Sequence, residues 1–146
     1  MSVNKTIVNE LLEHMETGSS RKVFAIKFDP ETVVKVCTHR IIQNVLEFDI
    51  WVSFSETEEG KKWLAPCYTL SDDGRVLTQE RLAVINDIKD PRLPKKVPNF
   101  MTDLKVQNWG AGGKGNVKCC DYGSTLILQD DPWKMKEAKW WSDNTR

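Results

Sequence analysis

The sequence predicts an α+β domain with an antiparallel sheet. Three observations point there. The segments follow the order helix, strand, strand, helix, strand, strand. The strands come in pairs around tight turns. Hydrophobic residues make up 40% of a 146-residue chain, enough for one core.

The first element reads as a helix. Val3, Ile7, Val8, Leu11, Leu12 and Met15 recur at 3.6-residue spacing, and Gly18 sits where a C-cap belongs. Beyond the Gly18-Ser19-Ser20 loop the period changes to two. Val23, Ala25 and Lys27 share one face, and Phe24, Ile26 and Phe28 the other, which is a strand over 22–28. Asp29-Pro30-Glu31 reads as the turn into a second, β-branched strand over 32–36. Residues 38–54 carry two periods at once. Ile41, Ile42, Val45 and Leu46 fit a helix, whereas Phe48, Ile50, Val52 and Phe54 fit a strand. The stretch is taken as a helix.

Residues 63–70 and 75–78 read as strands around the turn Ser71-Asp72-Asp73-Gly74. Residues 82–88 read as a helix. Residues 90–98 hold three prolines and form a connection, and 111–115 hold three glycines and form a turn. Short strands are expected over 117–120 and 125–128, around Asp121-Tyr122-Gly123. A terminal helix is expected over 132–141, with Asp131 as its cap and Pro132 in its first position. Trp133, Trp140 and Trp141 would then share a face able to pack beneath the preceding loops.

Composition excludes several classes. Lys plus Arg and Asp plus Glu are both 21, so the net charge is zero. A dedicated nucleic-acid or membrane-surface binder is normally basic. No apolar run has the length of a membrane span, and residues 1–13 carry acids unlike a secretory signal. The four cysteines, Cys37, Cys67, Cys119 and Cys120, form no Cys-x-x-Cys pair, which suits a reduced, cytoplasmic protein without structural zinc. Cys119 and Cys120 read as buried strand residues. His14 and His39 have no partner at metal-ligand spacing.

Two segments carry chemistry. Met101-Thr102-Asp103-Leu104-Lys105-Val106-Gln107-Asn108 places an Asp and an Asn with four residues between them, and Lys105 two after the Asp. Cys119-Cys120-Asp121-Tyr122-Gly123 is Asp-aromatic-Gly after an apolar strand. Together they resemble the catalytic loop and metal-binding loop of the protein-kinase superfamily, written HRDxxxxN and DFG. The two aspartates are 18 residues apart, a separation typical of that family. Val33-Val34-Lys35 resembles the strand that carries the ATP-binding lysine. Glu47 on the next helix resembles the acid that pairs it, with Asp49 or Glu56 in its place if the helix is misaligned. Leu77 to Leu82 resembles the hinge that holds adenine by backbone groups of Glu80 and Leu82. Gly18 to Val23 occupies the place of the glycine-rich loop. The resemblance spans residues 16 to about 128. It extends to small kinase-like proteins encoded by bacteriophages.

The resemblance implies one kinase-like domain over 1–146. An antiparallel-sheet N-lobe would cover 1–80, and a strongly reduced helical C-lobe with both motif loops would cover 81–146. It implies ATP and Mg²⁺ as cofactors and transfer of the γ-phosphoryl group to a hydroxyl acceptor. Catalysis of that transfer is mostly positioning and electrostatic stabilisation. Lys35 would bind the α and β phosphates, with Glu47 holding it. Asn108 and Asp121 would ligate magnesium, which takes oxygen donors. Asp103 would accept the proton of the attacking hydroxyl, and Lys105 would meet the γ-phosphate. The implied partners are a nucleotide and a protein partner or substrate, with neither nucleic acid nor membrane.

The departures from the family pattern are specific. Met101-Thr102 replaces His-Arg. Glu16 and Arg21 stand where the outer glycines belong. Only 23 residues follow Gly123, with no Ala-Pro-Glu. Each residue also has an ordinary reading. Asp103 can be a helix N-cap, Asp121-Tyr122-Gly123 a turn, Lys35 a strand-edge residue and Glu47 a surface acid. Three functions stay open: a minimal ATP-dependent phosphotransferase, a pseudokinase-like module that binds nucleotide or protein without transfer, and an unrelated α+β domain.

Overall fold

The structure is a computed structural model and describes residues 11–17, 20–123 and 131–143. Its largest unit is a five-stranded antiparallel sheet in the order β1-β2-β3-β5-β4. The strands are β1 (Leu12–Thr17), β2 (Arg21–Ile26), β3 (Asp29–Cys37), β4 (Cys67–Leu70) and β5 (Val76–Glu80). β3 lies central, pairing Val23 with Lys35 on one side and Lys35 with Leu77 on the other. Two helices, α1 (Ile42–Phe54) and α2 (Glu58–Trp63), connect β3 to β4. α1 packs on β3, β4 and β5 through Asn44, Glu47 and Ile50, which follow at helical spacing and are buried. Thr57 starts α2 by accepting the Gly60 N–H at 2.9 Å. A Cβ on Gly60 would lie 2.0 Å from the Phe54 carbonyl oxygen, so only glycine lets α2 turn back so closely.

The remainder is built from short strands. β6 (Ala83–Val84), β8 (Trp109–Ala111) and β9 (Val117–Cys119) form an antiparallel sheet in the order β6-β8-β9. β7 (Lys96–Pro98) pairs with β10 (Met135–Glu137). A single 3₁₀ turn, Val106–Asn108, leads into β8. A parallel bridge from Leu64 to Cys119 joins the two parts. Leu64, Phe100, Trp109 and Tyr122 are fully buried at the centre of a shared apolar core. Among the described residues no helix is long and apolar enough to cross a membrane. No disulfide joins any of the four cysteines among the described residues.

The α+β class with mostly antiparallel sheets agrees with the sequence. So do the strand pair β2–β3, the helix ending at Phe54, the 71–74 turn and the strand from Val117. Five expectations do not. The helix expected through Met15 does not reach it, because Leu12–Thr17 is an edge strand paired with β2; residues 1–10 lie outside the description. Residues 63–70 divide, with Trp63 ending α2 and the strand starting at Cys67. Residues 82–88 are not helical, because Ala83 and Val84 pair with Ala111 and Gly110. Residues 132–141 are not helical either, because Met135, Lys136 and Glu137 pair with Pro98, Val97 and Lys96. Asp131 has φ 54° and caps nothing there. The expected helical C-lobe is consequently absent: described residues from 81 onward hold strands and one 3₁₀ turn, with no α-helix. The strand expected over 125–128 lies outside the described residues.

Trp133 and Trp140 still pack against the core, as turn and loop residues. Trp140 meets Trp109 edge-on at 5.1 Å and donates Nε1–H to the Pro94 carbonyl at 2.9 Å. Trp133 sits edge-on between Phe54 and Phe100. Trp140→Ala removes both the ring contact and the partner of that carbonyl. It is expected to cost about 3 kcal/mol, read as a drop of about 6–12 °C in melting temperature at this chain length. An unchanged melting curve would show that the C-terminal strand does not support the core.

Candidate functional site

The site begins where α1 lies across β3. Lys35 and Glu47 are almost completely buried, at 5% and 0% exposure. Lys35 Nζ donates to Glu47 Oε2 at 3.0 Å and also to the Cys120 carbonyl. Arg21, at the start of β2, donates Nη1–H to the same Glu47 oxygen at 2.7 Å and to Asn44 Oδ1 at 3.1 Å. The Tyr122 N–H donates to Glu47 Oε1 at 2.7 Å. One carboxylate thus gathers β2, β3 and the Asp121-Tyr122-Gly123 loop. Asn44, one helical turn earlier on α1, donates to the Arg75 carbonyl at 2.9 Å and steadies the helix on the sheet.

The electrostatics follow from this packing. Burial opposes the Glu47 charge, but Lys35 and Arg21 outweigh it and hold the carboxyl below its ordinary range. Burial likewise opposes the Arg21 charge, and Glu47 and Asp121 more than restore it. Tyr122 is fully buried; its OH donates to the Ala65 carbonyl at 2.8 Å and lies 3.2 Å from Cys67 Sγ. Burial pushes the Cys67 thiol up to about 11, so it stays protonated.

The two motif loops are joined by main-chain bonds. The Cys120 N–H donates to the Asn108 carbonyl at 2.8 Å. The Val106 N–H and the Leu104 carbonyl bond to the two sides of the Trp141 backbone, at 2.8 and 3.1 Å. Trp141 Nε1–H donates to Asp103 Oδ1 at 3.1 Å. Lys105 Nζ pairs with Asp143 Oδ2 at 2.9 Å. Asp121 Oδ1 accepts from Arg21 Nη2 at 2.9 Å and from Gln43 Nε2 at 3.3 Å.

Between the five-stranded sheet and these loops lies a cavity of about 350 Å³. Lys35, Glu80, Leu82, Asp103, Lys105, Asn108 and Asp121 all line it. Glu47 stands behind the wall, bonded to Lys35, while Asp49 and Glu56 are exposed. The Glu80 N–H is spent on the Pro66 carbonyl at 2.9 Å, so of that residue's backbone only the carbonyl remains for a ligand. Gly18 lies outside the described residues. Among the described residues no three His, Cys, Asp or Glu side chains cluster as a metal cage. Among the oxygen donors the cavity offers a cation are the Asp121 carboxylate and the Asn108 side-chain amide, with the Asp103 and Glu80 carboxylates also on its wall. Asp121 Oδ2 has no partner among the described residues. These are hard oxygen donors, and with phosphate oxygens they fit magnesium.

Sequence reasoning missed Arg21 as a site residue and treated it only as a lost glycine. Its signal was period two: Arg21, Val23 and Ala25 share the inner face of β2. Asn44 and Trp141 had no comparable local signal.

No family model and no curated protein matches the chain. Among solved structures it is similar to WbdD, in a co-crystal with the kinase inhibitor LY294002, at 13% identity and a TM-score of 0.48. The match covers 77% of this chain and 33% of that one, so the chain spans about a third of its length.

Proposed function

We propose that the chain is a kinase-like domain that binds ATP with Mg²⁺ and transfers the γ-phosphoryl group to a hydroxyl acceptor. The observation that supports it is the buried Lys35–Glu47 ion pair at the wall of a cavity also lined by Asp103, Asn108 and Asp121. An ammonium held at fixed position by a buried carboxylate is preorganised for phosphate oxygens. The cavity volume lies at the small end for a ligand site, adequate for a nucleotide that leaves part of itself in solvent.

In this mechanism Lys35 binds the α and β phosphates while Glu47 fixes its position. Asn108 and Asp121 would hold a magnesium ion, which would supply neutralisation of charge on the phosphate oxygens. Asp103 accepts the proton of the acceptor hydroxyl as its oxygen bonds to the γ phosphorus. The bond from that phosphorus to the β-γ bridging oxygen breaks, and ADP leaves with the electron pair. Lys105 pairs with the exposed Asp143 and would meet the γ-phosphate by leaving it, a small cost for a surface pair.

A second reading is a binding module without transfer. It is favoured by Asp121 Oδ1, which is already engaged by Arg21 and Gln43. Two measurements separate the readings. Millimolar Mg-ATP should raise the melting temperature by mass action, and Asp121→Asn should shrink that shift by replacing a carboxylate ligand with an amide. γ-Labelled ATP should label an acceptor in host extract or the chain itself. A shift without label supports the binding module. No shift in the wild type removes the nucleotide site altogether.

A further inference from the structure

We propose that Arg21 is a phosphate-binding residue of the cavity, gripping a polyphosphate with its side chain where a glycine-rich turn would use backbone amides. The inference rests on the nucleotide reading above and deepens it by assigning a ligand contact to a residue that replaces a glycine.

Arg21 is 6% exposed, yet it lines the cavity. Its guanidinium carries five N–H donors. Nη1 donates to Asn44 and Glu47, and Nη2 donates once, to Asp121. The Nε–H and the second Nη2 proton have no partner among the described residues. A guanidinium fixed at a cavity wall with N–H donors to spare is a preformed anion site, because each spare donor can make a charge-assisted hydrogen bond to a phosphate oxygen. The planar fork is also held on three sides, so little side-chain entropy remains to be lost on binding.

The neighbouring cation strengthens the assignment. Lys35 shares Glu47 Oε2 with Arg21, so two positive charges lean on one buried carboxylate. A phosphate arriving between them relieves that imbalance. Asp121 supplies a second negative charge to Arg21. It is 42% exposed at its side chain and can turn its Oδ2 to a metal ion without releasing Arg21 from Oδ1.

The test uses the full chain in EDTA, which isolates direct protein–phosphate contacts from those through a metal ion. Binding of ATP, adenosine and inorganic tripolyphosphate is measured by calorimetry for the wild type and for Arg21→Lys, which keeps the charge against Glu47. The wild type should bind ATP at least about tenfold more tightly than adenosine, and should bind tripolyphosphate alone, as direct charged hydrogen bonds to phosphate require. Arg21→Lys should weaken ATP and tripolyphosphate about tenfold through loss of the fork and leave adenosine unchanged. Equal wild-type affinity for ATP and adenosine overturns the proposal without any variant, so it remains testable even if Arg21→Lys does not fold. A parallel loss for all three ligands in the variant, or no loss, overturns it too. Wild-type chain that binds tripolyphosphate in an Arg21-dependent way but neither nucleotide nor nucleoside would sink the nucleotide reading and leave Arg21 as a polyphosphate contact.

Discussion

Glu47→Ala is expected to destabilise the chain by about 3–5 kcal/mol, the cost of removing one member of a buried ion network. That is a large share of the total stability of a domain, about 5–15 kcal/mol. The loss exceeds one contact because Glu47 accepts from Lys35, Arg21 and the Tyr122 N–H, all in the interior. Truncation leaves two buried cations facing each other and an orphaned amide. Chemical denaturation of wild type and variant reads the difference directly. The pH dependence carries the same information. Glu47 has a folded-state pKa below its unfolded value, so its contribution is complete above the ordinary carboxylate range and is lost as pH falls through the lower, folded value. Wild type should therefore lose stability below about pH 4, and Glu47→Gln should show a flatter acid limb from a lower plateau. Parallel acid limbs in both would mean that the Glu47 charge contributes no net stability.

The parts of this fold that were legible in the sequence are those whose pattern is local. β2 and β3 declare themselves by alternation, and Gly74, with φ 74°, marks the turn before β5. The hairpin turn was displaced by two residues because Pro30 looks like a turn residue. In fact it lies within β3 next to the bulge between Ala25 and Ile26, where a missing N–H breaks no ladder bond. α1 was ambiguous for a physical reason. Ile42 and Val52 are 51% and 57% exposed, so apolar residues occur on both its faces and blur the period. The C-terminal half was misread wherever a strand is made by its partner. Residues 83–84 and 135–137 are short, carry no alternation of their own, and become strands only through β8 and β7. Gly110 explains the first case, since a Cβ there would lie 2.5 Å from the Leu82 Cβ, an approach no side chain permits. The residues expected at the site, Lys35, Glu80, Leu82, Asp103, Lys105, Asn108 and Asp121, line one cavity, and of the elements that carry them only the helix expected from residue 82 differs in type. Arg21 escaped because the pattern the segment resembles puts a glycine there, which drew attention away from the carboxylates it could reach.

Asp103→Ala is expected to lower phosphoryl transfer by about 10²–10⁴-fold, the range for a lost general base, while leaving the Mg-ATP thermal shift nearly intact. The separation follows from the role proposed for it. Asp103 meets the acceptor hydroxyl and not the nucleotide, so its loss falls on the transition state and not on ground-state binding. The geometry around it suits that role. Its side chain lines the cavity, Oδ1 is held by Trp141 Nε1–H at 3.1 Å, and Oδ2 has no partner among the described residues. The indole thus orients the carboxylate and leaves one oxygen for the incoming proton. Trp141→Phe, which removes that donor and leaves a smaller ring near Lys105, should reduce turnover by several-fold, in line with about 1 kcal/mol for one hydrogen bond. It should again spare nucleotide binding. Asp121→Asn provides the contrast, because it should diminish both binding and transfer. Single-turnover labelling across the three variants distinguishes these patterns. Undiminished turnover in Asp103→Ala removes Asp103 from the mechanism. If turnover is lost together with the thermal shift, Asp103 belongs to the nucleotide site instead, and the proton must pass to another group on the cavity wall.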